Sequence, residues 1–313
     1  MVLQEITPFE YGALVDGLET PIYNKSSFLE LNRNKVDAVH YLLGRDTRNR
    51  IAFAIGEKNG EWAAPFSAPF SSVIELRKNT TVEIFNTFFD HLVEYVKVHD
   101  GKSIDLYPPA NIYGEHMNAK VMNALLGNGF AVEYADINYS FELDNINLNT
   151  YESMLHCNAR KNLRIAMKSG LGFVRCSDET EVAIAYEIIA ENRAEKGYPL
   201  WLSQEQLLQT LKIVNHDCFL VKADGCNIAA AIVYRVTDKI AQVIYWGDLP
   251  GSMNYKPVNY LAYNLICYYK NLKFRILDIG ISTEKGNPNY GLCVFKESIG
   301  CVANAKPRFR REI

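Results

Sequence analysis

The 313-residue chain contains no C-x-x-C pair, no H-E-x-x-H, no G-x-S-x-G and no G-x-x-x-x-G-K-[ST]. Local support is therefore missing for a zinc or thiol redox site, a metalloprotease helix, a hydrolase nucleophile elbow and an NTP-binding loop. Its six histidines never fall at i, i+4, so no metal is expected. The seven cysteines, an odd number, read as reduced thiols of a cytoplasmic protein. No run of about eighteen apolar residues occurs. The N-terminal segment MVLQEITPFEYGALVDG has no apolar stretch behind positive charge. Neither a spanning helix nor an export leader is expected. Cations are not in excess, the formal charge being −3, which argues against a protein that coats DNA. Gly127-Asn128-Gly129 and Gly170-Leu171-Gly172 lack the third glycine and the leading strand of a dinucleotide fingerprint.

What is present is enough apolar residue, 48%, to build a core in each of two domains. Ile84, Phe85, Phe88, Phe89, Leu92 and Val96 recur at helical spacing over 81–99. Strands are expected at 51–55, near Trp62, at 104–107 and over 130–143, with a helix ending at Gly127-Asn128-Gly129. In the second half, helices are expected over 151–168, 181–195, 204–214 and 258–271, with strands at 218–223, 228–236, 240–246 and 274–279. A last helix opens near Asn289 and closes on Gly300. Asp105 precedes Gly129 by nearly the interval that separates Asp278 from Gly300, so the chain reads as a duplication. Domains are expected at 1–143 and 151–313, joined by the polar segment 143–149. Each is expected to be a mixed, mostly antiparallel sheet flanked by helices, an α/β arrangement.

Two segments carry a family resemblance. Leu277-Asp278-Ile279-Gly280 with Gly291-Leu292-Cys293-Val294-Phe295-Lys296-Glu297-Ser298-Ile299-Gly300 resembles a D-x-G, G-L-x-x-F-K-x-x-x-G signature. Asn158 to Gly170, NARKNLRIAMKSG, is similar to an R-x-x-I/L-R-x-A-x-K-x-G helix. Both patterns resemble those of the tandem-GNAT proteins related to the Fem peptidyltransferases, the FemAB-like N-acyltransferases. The resemblance is detailed over 151–313 and architectural before that. A coiled-coil arm carried by some Fem proteins has no counterpart here. The resemblance implies two GNAT-like domains, the second active, and transfer of an acyl or aminoacyl group to an amine of a cell-envelope or small-molecule precursor. The donor it implies is acyl-CoA or aminoacyl-tRNA, and the partners are a peptidoglycan precursor or other small molecule and a tRNA 3′ end. Two other readings stay open: a CoA-dependent GNAT N-acetyltransferase with a degenerate phosphate loop, and a binding protein that keeps the fold without catalysis.

Candidate site residues follow from position. Arg160, Arg164 and Lys168 fall at i, i+4 and i+8, opposite Ala159, Leu163 and Ala166, so they form either an anion-binding stripe or a solvated helix face. GNAT enzymes seat a pyrophosphate on a glycine-rich turn after the fourth strand. Asn254-Tyr255-Lys256-Pro257-Val258-Asn259 stands there without glycine, leaving Lys256 to supply charge. Lys296 lies four residues before the helix-ending Gly300, where CoA-using relatives often carry a Tyr. It is expected either to hold an anionic donor or oxyanion, sharing the Arg160 groove, or to be a surface lysine. Asp278, Glu284 and Asp248 at strand ends are candidate bases, or turn and cap formers. Tyr290 is a cleft hydrogen-bond donor or a core aromatic. The loop after Gly197, Tyr198-Pro199-Leu200-Trp201, either recognises the acceptor or packs one domain on the other, and packing is the reading preferred.

Overall fold

The computed structural model describes residues 1–78 and 80–313. The first half runs β1 (Val2–Ile6), α1 (Pro8–Val15), α2 (Ser26–Leu31), β2 (Ala38–Arg45), β3 (Asn49–Lys58), β4 (Glu61–Ala64), α3 (Val82–Val98), β5 (Ser103–Leu106), α4 (Glu115–Gly127) and β6 (Ala131–Glu142). After a short helix Tyr151–Met154, the second half runs α5 (Cys157–Lys168), β7 (Gly172–Arg175), α6 (Glu179–Glu195), α7 (Gln204–Leu211), β8 (His216–Ala223), β9 (Cys226–Arg235), β10 (Ile240–Asp248), α8 (Pro257–Asn271), β11 (Ile276–Ile281), α9 (Tyr290–Ser298) and β12 (Val302–Glu312). From β7 onward the order of elements repeats that from β1 to β6.

The chain forms two compact units. The first comprises Met1–Ile137, Thr283–Asn287 and Asn304–Ile313, and the second Asn138–Ser282 and Pro288–Ala303. Each thus takes its last strand from the opposite half of the sequence. In the first unit β1, β2, β3 and β4 pair antiparallel in turn, and β4 runs parallel to β5 through Trp62↔Ile104. The strand beyond β5 is β12, antiparallel through Phe309↔Leu106. In the second unit β7, β8, β9 and β10 pair antiparallel, β10 runs parallel to β11, and β11 pairs antiparallel with the end of β6 through Leu277↔Phe141. The division falls inside β6. Leu143 and Ile146, in the segment expected to link the halves, are buried in the second unit's core.

Sequence pattern accounts for the elements. α1 starts on a capping box in which Thr7 and Glu10 exchange bonds, with Pro8 preset at the first helical position. In α3 the 3–4 spacing buries Phe85, Phe88, Phe89, Leu92 and Val96 against β3 and β5 residues such as Phe53 and Ile104. The run Ala229–Val233 of β9 is buried at every position, as a strand covered on both faces must be. The helix expected over 151–168 is broken at Leu155 and His156, which are extended, so α5 starts at Cys157. Both helices that close a half end alike. Phe130 N–H bonds Leu125 O at 3.1 Å and Cys301 N–H bonds Lys296 O at 3.1 Å, with Gly129 and Gly300 left-handed at φ +75 and +89. Among the described residues no helix is long and apolar enough to cross a membrane, and no group of three or more His, Cys, Asp and Glu is placed to hold a metal.

Candidate active site

The second unit opens where its parallel pair parts. β10 and β11 are paired over Ile240↔Ile276, Ala241↔Leu277 and Gln242↔Asp278. Past Asp278 the pairing of β11 with β6 shifts register between Asp278 and Gly280, and Gly280 takes φ +74, which only glycine adopts at little cost. The Asp278 carboxylate is buried and fastens this bulge. It accepts from Asn138 Nδ2 at 2.8 Å, Gln242 Nε2 at 2.7 Å and Gly280 N at 2.8 Å. A carboxylate so occupied inside the sheet holds the strand in place and is badly placed to take a proton from substrate.

Lys296 is 2% exposed, so it is not the surface lysine of one reading. Nor does it reach the Arg160 groove. Its ammonium donates to Ile279 O at 3.1 Å, Gly280 O at 2.9 Å and Ile281 O at 3.0 Å, three successive carbonyls of the strand end that has left β10. Three N–H donors meet three acceptors. The ammonium also lies 5.6 Å from the centroid of the Tyr139 ring, whose hydroxyl donates to Glu297 Oε1 at 2.7 Å. Burial lowers the Lys296 pKa from its ordinary 10.5 to about 8. Burial also raises the Tyr139 hydroxyl, with Glu297 adding to it, and the Cys301 thiol.

Around the end of β10, Asn192 of α6 donates through Nδ2 to Asp248 O at 2.7 Å and Oδ1 at 3.0 Å, and Lys196 lies 3.7 Å from Asp248 Oδ1. Gly247 is required there, since a Cβ would come within 2.7 Å of Asn192 Cγ. α9 begins on Asn289, whose side chain accepts from Leu292 N at 3.0 Å and donates through Nδ2 to Tyr198 Oη at 2.5 Å. Tyr290, next in line, is 76% exposed and is not a core aromatic. Trp201 is 78% exposed.

The cationic stripe of α5 is largely spoken for. Arg160 caps the short helix before it, donating to Glu152 O at 2.7 Å, Ser153 O at 3.3 Å and Leu155 O at 3.1 Å. Arg164 pairs with Glu152 Oε2 at 2.7 Å, and Lys168 is exposed. Arg160, Arg164, Glu152 and Tyr263 line an open groove of about 410 Å3, where opposite charges face each other in place of an all-cationic clamp. Lys256 stands before α8 in a left-handed conformation, φ +55, with Pro257 following. Beside it Tyr255 Oη donates to Asp224 Oδ2 at 3.0 Å. Glu284 is exposed on a two-residue strand at Thr283–Glu284 within the first unit, where Asp136 accepts from Thr283 Oγ1 at 2.5 Å and from Gly286 N at 3.0 Å.

Asn138, Tyr139 and Gln242 surround Asp278 and Lys296 and were not found by sequence reasoning. Asn138 and Tyr139 lie in a strand from the first half, and no local spacing ties them to Asp278. The one available signal was the run of polar residues in a strand otherwise destined for a core, Asp136-Ile137-Asn138-Tyr139-Ser140.

No protein-family model matches the sequence, and no curated protein matches it. Solved structures do match the fold. FemX is 15% identical, with a TM-score of 0.73 over 100% of this chain and 98% of that one. The C-terminal domain of a putative lysylphosphatidylglycerol synthetase from Agrobacterium fabrum is 11% identical, with a TM-score of 0.61 over 97% and 92%. A tandem GNAT protein from the clavulanic acid biosynthesis pathway is 9% identical, with a TM-score of 0.52 over 99% and 98%. At these identities the likeness is one of fold, and it runs the length of the chain: two GNAT-type halves in tandem, the fold of FemX.

Proposed function

We propose that this protein transfers an acyl group, an aminoacyl group in particular, to an amine of a cell-envelope or small-molecule precursor, with the site at the parting of β10 and β11. The observation that carries the reading is the end-to-end likeness to FemX and to a domain named for lysylphosphatidylglycerol synthesis. Fold alone does not assign chemistry. The site adds a carboxylate, Asp248, at the end of β10, past the point where β10 and β11 stop pairing. In the transfer, the amine nitrogen attacks the donor carbonyl, a C–N bond forms and the bond to the donor's oxygen or sulfur breaks. The proton shed by the amine goes to Asp248, which Asn192 and Lys196 orient through Oδ1, and passes from it to the departing oxygen or sulfur. The glycine-free start of α8 favours an aminoacyl ester over CoA as donor, because without glycine the backbone cannot approach a pyrophosphate closely.

Transfer of radiolabelled amino acid from aminoacyl-tRNA, and of acetyl from acetyl-CoA, onto amine-bearing precursors such as UDP-sugar peptides tests this. The aminoacyl donor is expected to be used, and Asp248→Asn to lower kcat by about 10²- to 10⁴-fold, the range of general-base catalysis. Stoichiometric acetyl-CoA binding with acetyl transfer would move the reading to a CoA enzyme, and no transfer from either donor would remove it.

A further inference from the structure

A serine and a lysine of the first unit form a pair that the transfer step leaves unused. Lys35 ends the short turn Arg33–Lys35 that follows α2, and Ser67 stands in the segment that leaves β4. Lys35 Nζ donates to Ser67 Oγ at 2.6 Å, and Ser67 Oγ donates to Asn32 Oδ1 at 3.0 Å. Asn32 is buried and fixed in turn, its Nδ2 donating to Phe28 O at 2.8 Å. An ammonium taken partly out of water usually has a carboxylate beside it. Among the described residues none pairs with Lys35, and burial alone acts on it, lowering its pKa. Once neutral, its amine is already at hydrogen-bond distance from a hydroxyl whose proton it can take, which is how a serine is made nucleophilic.

Two further features sit at Ser67. Among the described residues its backbone N–H and that of Ala68 meet no acceptor, so both are free to bond an oxyanion formed at Oγ. Ser67 also lines a cavity of about 10 Å3 with Phe28, Leu29, Ala54 and Phe66. That is room for about one water-sized group, so a methyl fits and a longer chain does not. We propose that Ser67 and Lys35 form a second reactive site, nucleophile and base, which hydrolyses esters of a short acyl group. Ser67 Oγ attacks the ester carbonyl while its proton passes to Lys35 Nζ. The bond to the alcohol oxygen breaks, and Lys35 returns the proton to that oxygen. Water then attacks the acylated serine, and Lys35 takes its proton and hands it to Oγ. Ester and water become acid and alcohol, with no other reactant needed. The inference goes beyond the transfer reading and stands whether or not an aminoacyl group is transferred elsewhere on the chain.

The full chain is treated with a fluorophosphonate, the adduct being located by peptide mass spectrometry, and assayed with the p-nitrophenyl esters of acetate and hexanoate. The label is expected on Ser67, and acetate is expected to be cleaved faster than hexanoate by about tenfold or more, the scale of discrimination that a closed apolar pocket gives. The acetate kcat/KM should rise with pH, with a midpoint below the ordinary lysine value of 10.5, as Lys35 loses its proton. Ser67→Ala should remove both label and hydrolysis, and Lys35→Met should lower hydrolysis by about 10²- to 10⁴-fold. Lys35→Arg keeps a donor for Ser67 but cannot be deprotonated, so it should be as inactive as Lys35→Met, and it carries the test where the Met variant fails to fold. A label on another residue, hydrolysis that persists in Ser67→Ala, or full activity in Lys35→Arg would overturn the proposal. Acetyl recovered as a stable amide on Lys35 would also overturn it, since the lysine would then be the nucleophile.

Discussion

Lys296 and Leu125 show what one position can require. Each is the residue whose carbonyl accepts the bond that closes its half's last helix, and each side chain is buried. Leucine satisfies such a place by contact alone. A lysine there must bring acceptors with it, and the three carbonyls of Ile279, Gly280 and Ile281 are those acceptors. Lys296→Met would take their donor from all three and leave Ile279 O buried without one, so a loss of about 1–3 kcal/mol in chemical denaturation is expected. The pH dependence has a definite sign. With the folded-state pKa near 8 and the ordinary value at 10.5, the unfolded chain binds more protons between them, so this residue's contribution makes stability rise as pH climbs through that window. The burial penalty is present in full below about pH 8. Denaturation of wild type and Lys296→Met from pH 7 to 10.5 should show wild type gaining on the variant, and parallel curves would refute the buried ammonium. Asp278→Asn keeps the shape but turns an amide N–H2 toward the donors of Asn138 and Gln242, and about 1–3 kcal/mol of stability should be lost there too.

At the scale of elements, the bulge in β11 matters more than the strand. Gly280 has open space where a Cβ would stand, so Gly280→Ala meets no clash and its cost is the left-handed backbone alone, about 1–2 kcal/mol. Urea titration should find that loss, and a neutral result would mean that the strand end relaxes to ordinary extended geometry. Most elements could be read in advance because their signals are local. α3 follows from its apolar spacing, β9 from a run without polar interruption, and the ends of α4 and α9 from glycines that take φ above zero. The break at Leu155 and His156 was missed because the apolar and basic spacing continues across it, and the Arg160 bonds that cap the short helix there involve a side chain reaching backward.

For the whole molecule, exchange of last strands between halves sets the folding units. β12 is the final strand of the chain, yet it pairs with β5 in the first unit. A chain ending before Asn304 is therefore expected to lose amide hydrogen-exchange protection at Ser103–Leu106, far away in sequence, with protection retained in β9. Protection that stayed intact at β5 would contradict the pairing.

The sequence by itself determined the class of fold, the repeated order of elements and the segment 277–300 that borders the candidate site, because periodicity, glycine at helix ends and the D-x-G and G-L-x-x-F-K patterns are properties of neighbouring residues. Only the tertiary structure decided which strand completes which sheet, that Lys296 spends its charge on three carbonyls, and that Arg160 and Arg164 are engaged instead of free. Those outcomes depend on groups brought together from distant parts of the chain, where a buried charge must find acceptors and an open strand edge must find a partner, and no spacing along the sequence records which ones they find.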